Sequence, residues 1–264
     1  MSRWIVSTIP PWLLLDVLIV IISGGSILLA VLLRQRFPRL TQDEHNDALK
    51  FGYGVIGFVY AFFIGFVVSA MWGQISDADG VVRTEGMSGV QLARDASVFD
   101  PADGDRIRQA LLGYARAIEA EWPTAARGES LPEADKALGL LSKSYQDVVP
   151  RTDIQKSYMS TSLGNLDTLS QARTERIIEG ATNSGPSWPL WAVIFLTSGL
   201  VLGCAITYGV AKPGMHYPMV AIVGMLVAAN LFLVLELSHP FAGDVSATPV
   251  ALQKVIEVLT QPSA

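Results

Sequence analysis

Four long apolar stretches interrupt an otherwise polar pattern: Trp12 to Leu33, Phe51 to Trp72, Trp188 to Val210 and Tyr217 to Leu237. A helix rises ~1.5 Å per residue, so about 20 apolar residues cross the ~30 Å hydrocarbon core of a bilayer. Each stretch therefore predicts a transmembrane helix. Pro186 and Pro189 precede or open the third, where proline suits a helix start. Trp12, Trp72, Trp188, Trp191 and Tyr217 sit near the ends of the stretches, where amphipathic rings favour the membrane interface. The first stretch is too long for the apolar core of a secretory signal, and no small-residue cleavage pattern follows it.

The segment between the second and third stretches changes period. Ala78, Val82, Leu92 and Phe99 extend the second span outward until Asp100-Pro101 breaks it. Ile107, Leu111, Tyr114, Ile118 and Trp122 then recur at helical spacing, with Pro123 and Gly128 as the stop. Ser130-Leu131-Pro132-Glu133 reads as a capping box before Ala134, Leu138, Leu141, Tyr145 and Val148. Pro150 ends that helix, and Thr152 or Asp153 caps a last one carrying Tyr158, Leu166, Leu169 and Ile177. The rest of its face is rich in Ser, Thr and Asn. Amphipathic helices joined by short links pack antiparallel, so this insert predicts a helical bundle.

The expected fold is an all-α integral membrane protein with four transmembrane helices. Residues 1–73 form the first pair, 74–187 the bundle, 188–237 the second pair, and 238–264 a tail with a short helix. Composition agrees. Of 264 residues, 50% are hydrophobic and only 16% charged, against about 25% charged in a soluble domain. About two thirds of the charges lie in the insert. That distribution excludes an ordinary cytosolic enzyme and a nucleic-acid binder. Cys204 is the single cysteine and lies in an apolar run, so no intrachain disulfide forms. Arg34, Arg36, Arg39 and Lys50 flank the first pair on one side, and Lys212 lies in the last loop. Arg3, Arg83, Arg173, Arg176 and Lys254 lie on the other. The first span carries three arginines after it and one before, so the short loops are expected in the cytoplasm and the insert and tail outside.

Within the second span Gly54, Gly57, Ala61, Gly65 and Ser69 recur as small residues, a spacing that admits close approach of another helix. Phe58, Phe62 and Phe66, with Phe51, form a separate aromatic stripe. Packing inside the chain with aromatics toward lipid is one reading. The other is an oligomer whose second spans surround a narrow pore, gated by dewetting. Gly52-x-Gly54-x-x-Gly57 matches a dinucleotide fingerprint by letter only, because no strand precedes it. Asp16 near the start of the first span and Glu236 near the end of the fourth share a membrane face, and intramembrane acids are candidates for an ion path. They are expected to approach each other or to share a basic partner such as Arg3, with His239 close to Glu236. Glu236, His239 and Asp244 are too mixed a set to argue for a metal, and His45 among Asp43, Glu44 and Asp47 reads as a solvated loop. No catalytic set, cofactor or metal is expected.

Two spans, an insert carrying Glu121-Trp122-Pro123, two more spans and then Glu236-Leu237-x-His239-Pro240-Phe241-x-Gly243 together resemble the bacterial bestrophin-like family of four-span membrane proteins. A more distant resemblance to true bestrophins rests on the four spans and Pro240-Phe241-x-Gly243. Bestrophins are pentameric anion channels with aromatic and aliphatic pore constrictions, so the resemblance implies a chloride-type channel. Their acidic run after this turn is reduced here to Asp244, and calcium gating is not implied. They also keep the extramembrane region in the cytosol, opposite to the side that the basic residues indicate here. The expected function is a homo-oligomeric, anion-conducting channel of the bacterial inner membrane, in contact with lipid and lined by the second span. The alternative is a non-conducting sensor or scaffold whose insert binds a partner protein.

Overall fold

The structure, a computed structural model, describes residues 2–37, 46–125, 127–182, 185–208 and 213–261. Arg39, Asp43, Glu44 and His45 of the first loop, Val210 and Lys212 of the last, and the Asn183-Ser184 step lie outside the described residues. The described elements are helical. In chain order they are α1 (Ser2–Thr8), α2 (Pro11–Arg36), α3 (Asn46–Asp95), α4 (Pro101–Ala125), α5 (Pro132–Gln146), α6 (Asp153–Thr182), α7 (Trp188–Thr207), α8 (Pro213–Glu236) and α9 (Val250–Thr260). Four are long and apolar enough to cross a membrane: α2, α3, α7 and α8. In lipid a helix is one of the few forms that satisfies every backbone amide internally.

The chain divides into two compact units. The first holds Met1–Gly73, Ser184–His239 and Gly243–Val245. The second holds Gln74–Asn183, Pro240–Ala242 and Ser246–Ala264, so α9 belongs with the insert.

In the first unit α2 and α8 cross closely. Ser23 Oγ donates to the Ala221 carbonyl at 2.8 Å. A Cβ at Gly224 would stand 2.8 Å from Ser23 Cα, so this crossing requires glycine. Apolar side chains gain little from leaving lipid, and small residues that let backbones meet are the usual substitute. Ala30, Ile206 and Val220 form a small core where α2, α7 and α8 meet. From α3, Tyr60, Ile64, Val67 and Met71 are buried at spacings that keep one helix face.

The second unit has an ordinary apolar core. Ile107, Leu111, Tyr114 and Ile118 of α4 meet Leu141 and Tyr145 of α5, Val82 and Leu92 of α3, and Leu252 and Val255 of α9. The close seat of α9 on α3 depends on Gly86, where a Cβ would lie 2.6 Å from the Ala251 backbone.

The second span continues past Trp72 as expected, with α3 running to Asp95. Several other local expectations change. α4 runs on through Pro123 to Ala125. The capping box does not form. Pro132 takes the first helical position and Leu131 becomes the N-cap, with no side-chain cap. The Leu131 amide instead donates to Glu121 Oε2 at 2.8 Å. Thr152 does cap α6, its Oγ1 accepting from the Gln155 amide at 3.1 Å. On α6 the expected Tyr158 is exposed, and the buried face passes through Ser162, Leu166, Leu169, Arg173 and Arg176.

Candidate functional site

The aromatic stripe of α3 is built by the helix register. Phe58 and Phe62 each stand two residues from the buried Tyr60, and Phe66 two from the buried Ile64. Two residues turn a helix by about 200°, so the stripe lies on the face opposite the one packed in the unit. Phe58, Phe62 and Phe66 are 74%, 73% and 68% exposed. The small residues flank that stripe. Gly54, Ala61, Gly65 and Ser69 are exposed and Gly57 half-buried. A Cβ added at Gly54, Gly57 or Gly65 would meet nothing within 4 Å. Among the described residues the glycines of this row meet no neighbour, and the buried face of α3 here is that of Tyr60, Ile64, Val67 and Met71.

The acidic candidates are not brought together. Asp16 lies two residues from the buried Leu14 and is exposed on α2. Glu236 is buried at the end of α8, and its acidic neighbour is Asp244. Among the described residues neither carboxylate oxygen of Glu236 has a hydrogen-bond partner. Ser238 Oγ donates to the Val234 carbonyl at 2.6 Å and His239 is buried in the turn. Gly243 has φ +97°, and a Cβ there would lie 2.6 Å from Val6 Cγ1 and 3.3 Å from Glu236 Oε2, so glycine is required. In the second unit Phe241 stacks edge-on against Trp122, ring centroids 6.3 Å apart, and the Ala247 amide donates to the Pro240 carbonyl at 2.8 Å. Among the described residues no group of three or more His, Cys, Asp or Glu could hold a metal ion. Glu236, His239 and Asp244 form no such group.

Sequence reasoning missed a buried ion network in the second unit. Arg173 and Arg176 of α6, counted above only as flanking charges, are 5% and 1% exposed, and Glu85 and Glu121 are fully buried. Arg176 Nε donates to Glu85 Oε2 at 2.9 Å, and its Nη2 donates to Glu121 Oε1 at 3.4 Å. Arg173 grips Glu121 with Nε at 3.2 Å and Nη2 at 2.7 Å, and Nη2 also donates to Asp135 at 2.7 Å. Tyr114 donates to Glu85 Oε1 at 2.7 Å, and the Arg176 guanidinium lies 5.4 Å from the Trp122 ring centroid. Burial, then the charge of Glu85, holds the Tyr114 phenol well above its ordinary value, so it stays a donor. Burial opposes the charge on Arg173, but its hydrogen bonds to Glu121 and Asp135 outweigh that and push it up. The i, i+3 spacing of Arg173 and Arg176, with Glu121 in the Glu-Trp-Pro motif, is the signal that could have pointed here.

A family model for the Bestrophin-like domain matches residues 20–252. The chain belongs to the Bestrophin-like family. Solved structures agree in fold. One variant of a bacterial bestrophin homolog from Klebsiella pneumoniae is 16% identical, covering 92% of this chain and 99% of its own, with a TM-score of 0.69. A second variant of that homolog is 16% identical over 91% of this chain and 97% of its own, at 0.66. A structure described only as a membrane protein variant is 18% identical over 91% and 97%, at 0.68. Among proteins of curated function none matches. This Bestrophin-like chain is thus a multi-pass, all-α membrane protein with a helical insert between its second and third spans.

Removing one partner from a buried ion pair strands the other charge, at a cost of about 3–5 kcal/mol. Arg176→Ala is expected to lower unfolding stability by that order, and Glu85→Gln with Arg176→Met by clearly less. Arg83→Ala, which breaks an exposed pair with Asp79, should cost under about 1 kcal/mol. Denaturant titration in detergent, followed by circular dichroism, measures all three. Equal losses for Arg176→Ala and Arg83→Ala would contradict the network.

Proposed function

We propose that this chain is the subunit of a homo-oligomeric, anion-conducting channel of a bacterial inner membrane, with α3 lining the conduit. The carrying observation is the exposed aromatic stripe of α3 beside a row of unpacked small residues. Lipid accepts phenylalanine anywhere, but a lipid-facing surface has no need of glycine. A second helix that must approach closely does. Rings of Phe58, Phe62 and Phe66 around an axis make a hydrophobic constriction that gates by dewetting. The positive edges of such rings favour an anion over a cation. Family membership supports the same reading through the architecture it shares. Helical spans suit an inner membrane, since bacterial outer-membrane proteins are typically β-barrels. Asp16 lies on α2, and Glu236 and His239 are buried at the end of α8. The conduit is therefore assigned to α3, and those groups to the ends of their own helices.

The insert is assigned to the extracytoplasmic side. The basis is the excess of basic residues after the first span, Arg34, Arg36 and Arg39, over Arg3 before it. Burial of Arg173 and Arg176 against carboxylates takes two charges from the opposing side of that count.

Purified protein in planar bilayers should carry anion current, and Phe58→Ala or Phe62→Ala should raise it several-fold by removing part of the dewetting barrier. Asp16→Asn should leave it unchanged. Silent bilayers across voltage, pH and calcium would remove the channel reading and leave that of a scaffold whose insert binds a partner protein. Sidedness has its own test in a Cys204→Ser background. An impermeant maleimide applied to whole spheroplasts should label Ser130→Cys, which is exposed in the insert. It should label Gln35→Cys only after permeabilisation. The reverse pattern would place the insert in the cytoplasm.

A further inference from the structure

α9 lies so close to α3 that a Cβ at Gly86 would stand 2.6 Å from the Ala251 backbone. Beside this close approach, within the second unit, lies a groove of about 460 Å³. From α3 it takes Met87, Val90, Gln91 and Arg94, spaced i, i+3, i+4 and i+7 and so on one helix face. From α9 it takes Lys254 and Val258, about one turn apart. Val90 and Val258 are half-buried, while Met87 is 65% exposed. The groove therefore joins an apolar lining to two cations.

The charges on this side of α3 do not all cancel. Asp79 is taken by Arg83 on the same helix, and Glu257 by Lys254 along α9. Gln91 gives its amide to Asp95 at 2.8 Å, and Gln253 donates to Glu119 at 3.5 Å. Arg94 is exposed and makes no ion pair among the described residues. It is the cation left over, and the Lys254–Glu257 pair beside it is about half exposed and readily exchanged. A planar guanidinium matches a carboxylate through two parallel hydrogen bonds. One spare positive charge next to apolar surface fits a ligand with a single anionic head and an apolar body.

We infer that this groove binds a free single-chain carboxylate amphiphile, an acid of the fatty-acid class. Its head lies on Arg94, with Lys254 as the second cation, and its chain lies on Met87, Val90 and Val258. The volume falls within the ~300–1,000 Å³ of ligand pockets. The flexible thioether of Met87 adapts to chains of different length. The ligand comes from solution and not from the bilayer. The apolar run of α3 ends near Trp72, and the stretch from Gln74 to Arg94 adds about six helical turns that carry Asp77, Asp79, Arg83 and Glu85. A lipid whose chains stay in the hydrocarbon core does not follow the helix that far. The site shares no residue with the stripe of Phe58, Phe62 and Phe66, so it stands or falls apart from the channel reading.

Calorimetric titration of the full chain in lipid nanodiscs with octanoate, corrected against empty nanodiscs, tests it. Octanoate should saturate one site per chain. Hexanoate, shorter by two methylenes, should bind roughly fifteenfold more weakly, since each buried methylene is worth about fourfold. Octyltrimethylammonium, with a tail of the same length and a cationic head, should not bind, and neither should acetate. Arg94→Gln should weaken octanoate at least tenfold and Met87→Gln severalfold. Both positions are exposed, so helical content by circular dichroism should stay as in wild type. Should either variant fail to fold, the ligand series on wild type decides alone. An octanoate titration no different from empty nanodiscs overturns the site. So does equal binding of the ammonium, which is partition of the tail, or equal binding of acetate, which needs no apolar lining. An Arg94→Gln protein that binds octanoate as wild type does overturns it too, by placing the site elsewhere in the chain.

Discussion

One helix has to work in two solvents. α3 runs without a break from Asn46 to Asp95 and gives its first part to the membrane unit and its second to the insert. In lipid every backbone amide must be satisfied within the helix, and in water an apolar face must be covered. α3 meets both demands with a single buried stripe. Tyr60, Ile64, Val67 and Met71 form it in the membrane unit, and Ala78, Val82 and Glu85 in the insert unit. A helix that buries one stripe inside its own chain leaves the opposite face over. That remainder is where the phenylalanines and unpacked glycines lie, and it is why the functional reading falls on α3 and not on α2 or α8, which use their small residues against each other.

The insert unit holds its share of α3 by an unusual means. Beyond Leu166 and Leu169, α6 approaches with Arg173 and Arg176, and α3 and α4 answer with Glu85 and Glu121. Desolvating such charges offsets most of what their attraction returns, so the network is a weak source of net stability. It is a strong source of register, because a one-residue slip of α6 would leave each guanidinium without its carboxylate. Trp122 serves the same joint twice, stacking under Arg176 and packing against Phe241 of the segment that follows α8.

Length and hydropathy made the four spans legible, and the spacing of Ile107, Leu111, Tyr114 and Ile118 made α4 legible. Other features hid for physical reasons. The ion network hid because the buried face of α6 is polar, so periodicity of apolar residues reports it poorly and Tyr158 was drawn into a stripe it does not join. The capping box at Ser130 failed because Pro132 fixes the first helical position one residue later, and Glu121 reaches the Leu131 amide from a distant part of the chain. Pro123 did not end α4, since a proline near a helix end disturbs little beyond its last turn. Asp16 and Glu236 sharing a membrane face is a matter of topology, but whether they meet depends on helix rotation, and Asp16 is turned away from the buried side of α2. The small-residue row was visible in the sequence. That its glycines meet no neighbour among the described residues could be seen only once Tyr60 and its neighbours were placed.

On the proposed function, the exposed face of α3 turns inward in an assembly of subunits. Electron cryomicroscopy of the full chain in lipid nanodiscs reads it directly. Phe58, Phe62 and Phe66 of every subunit should surround one axis in a closed ring, with Gly54, Ala61 and Gly65 against the neighbouring α3. A single subunit, or an assembly in which those phenylalanines point outward into lipid, would contradict it.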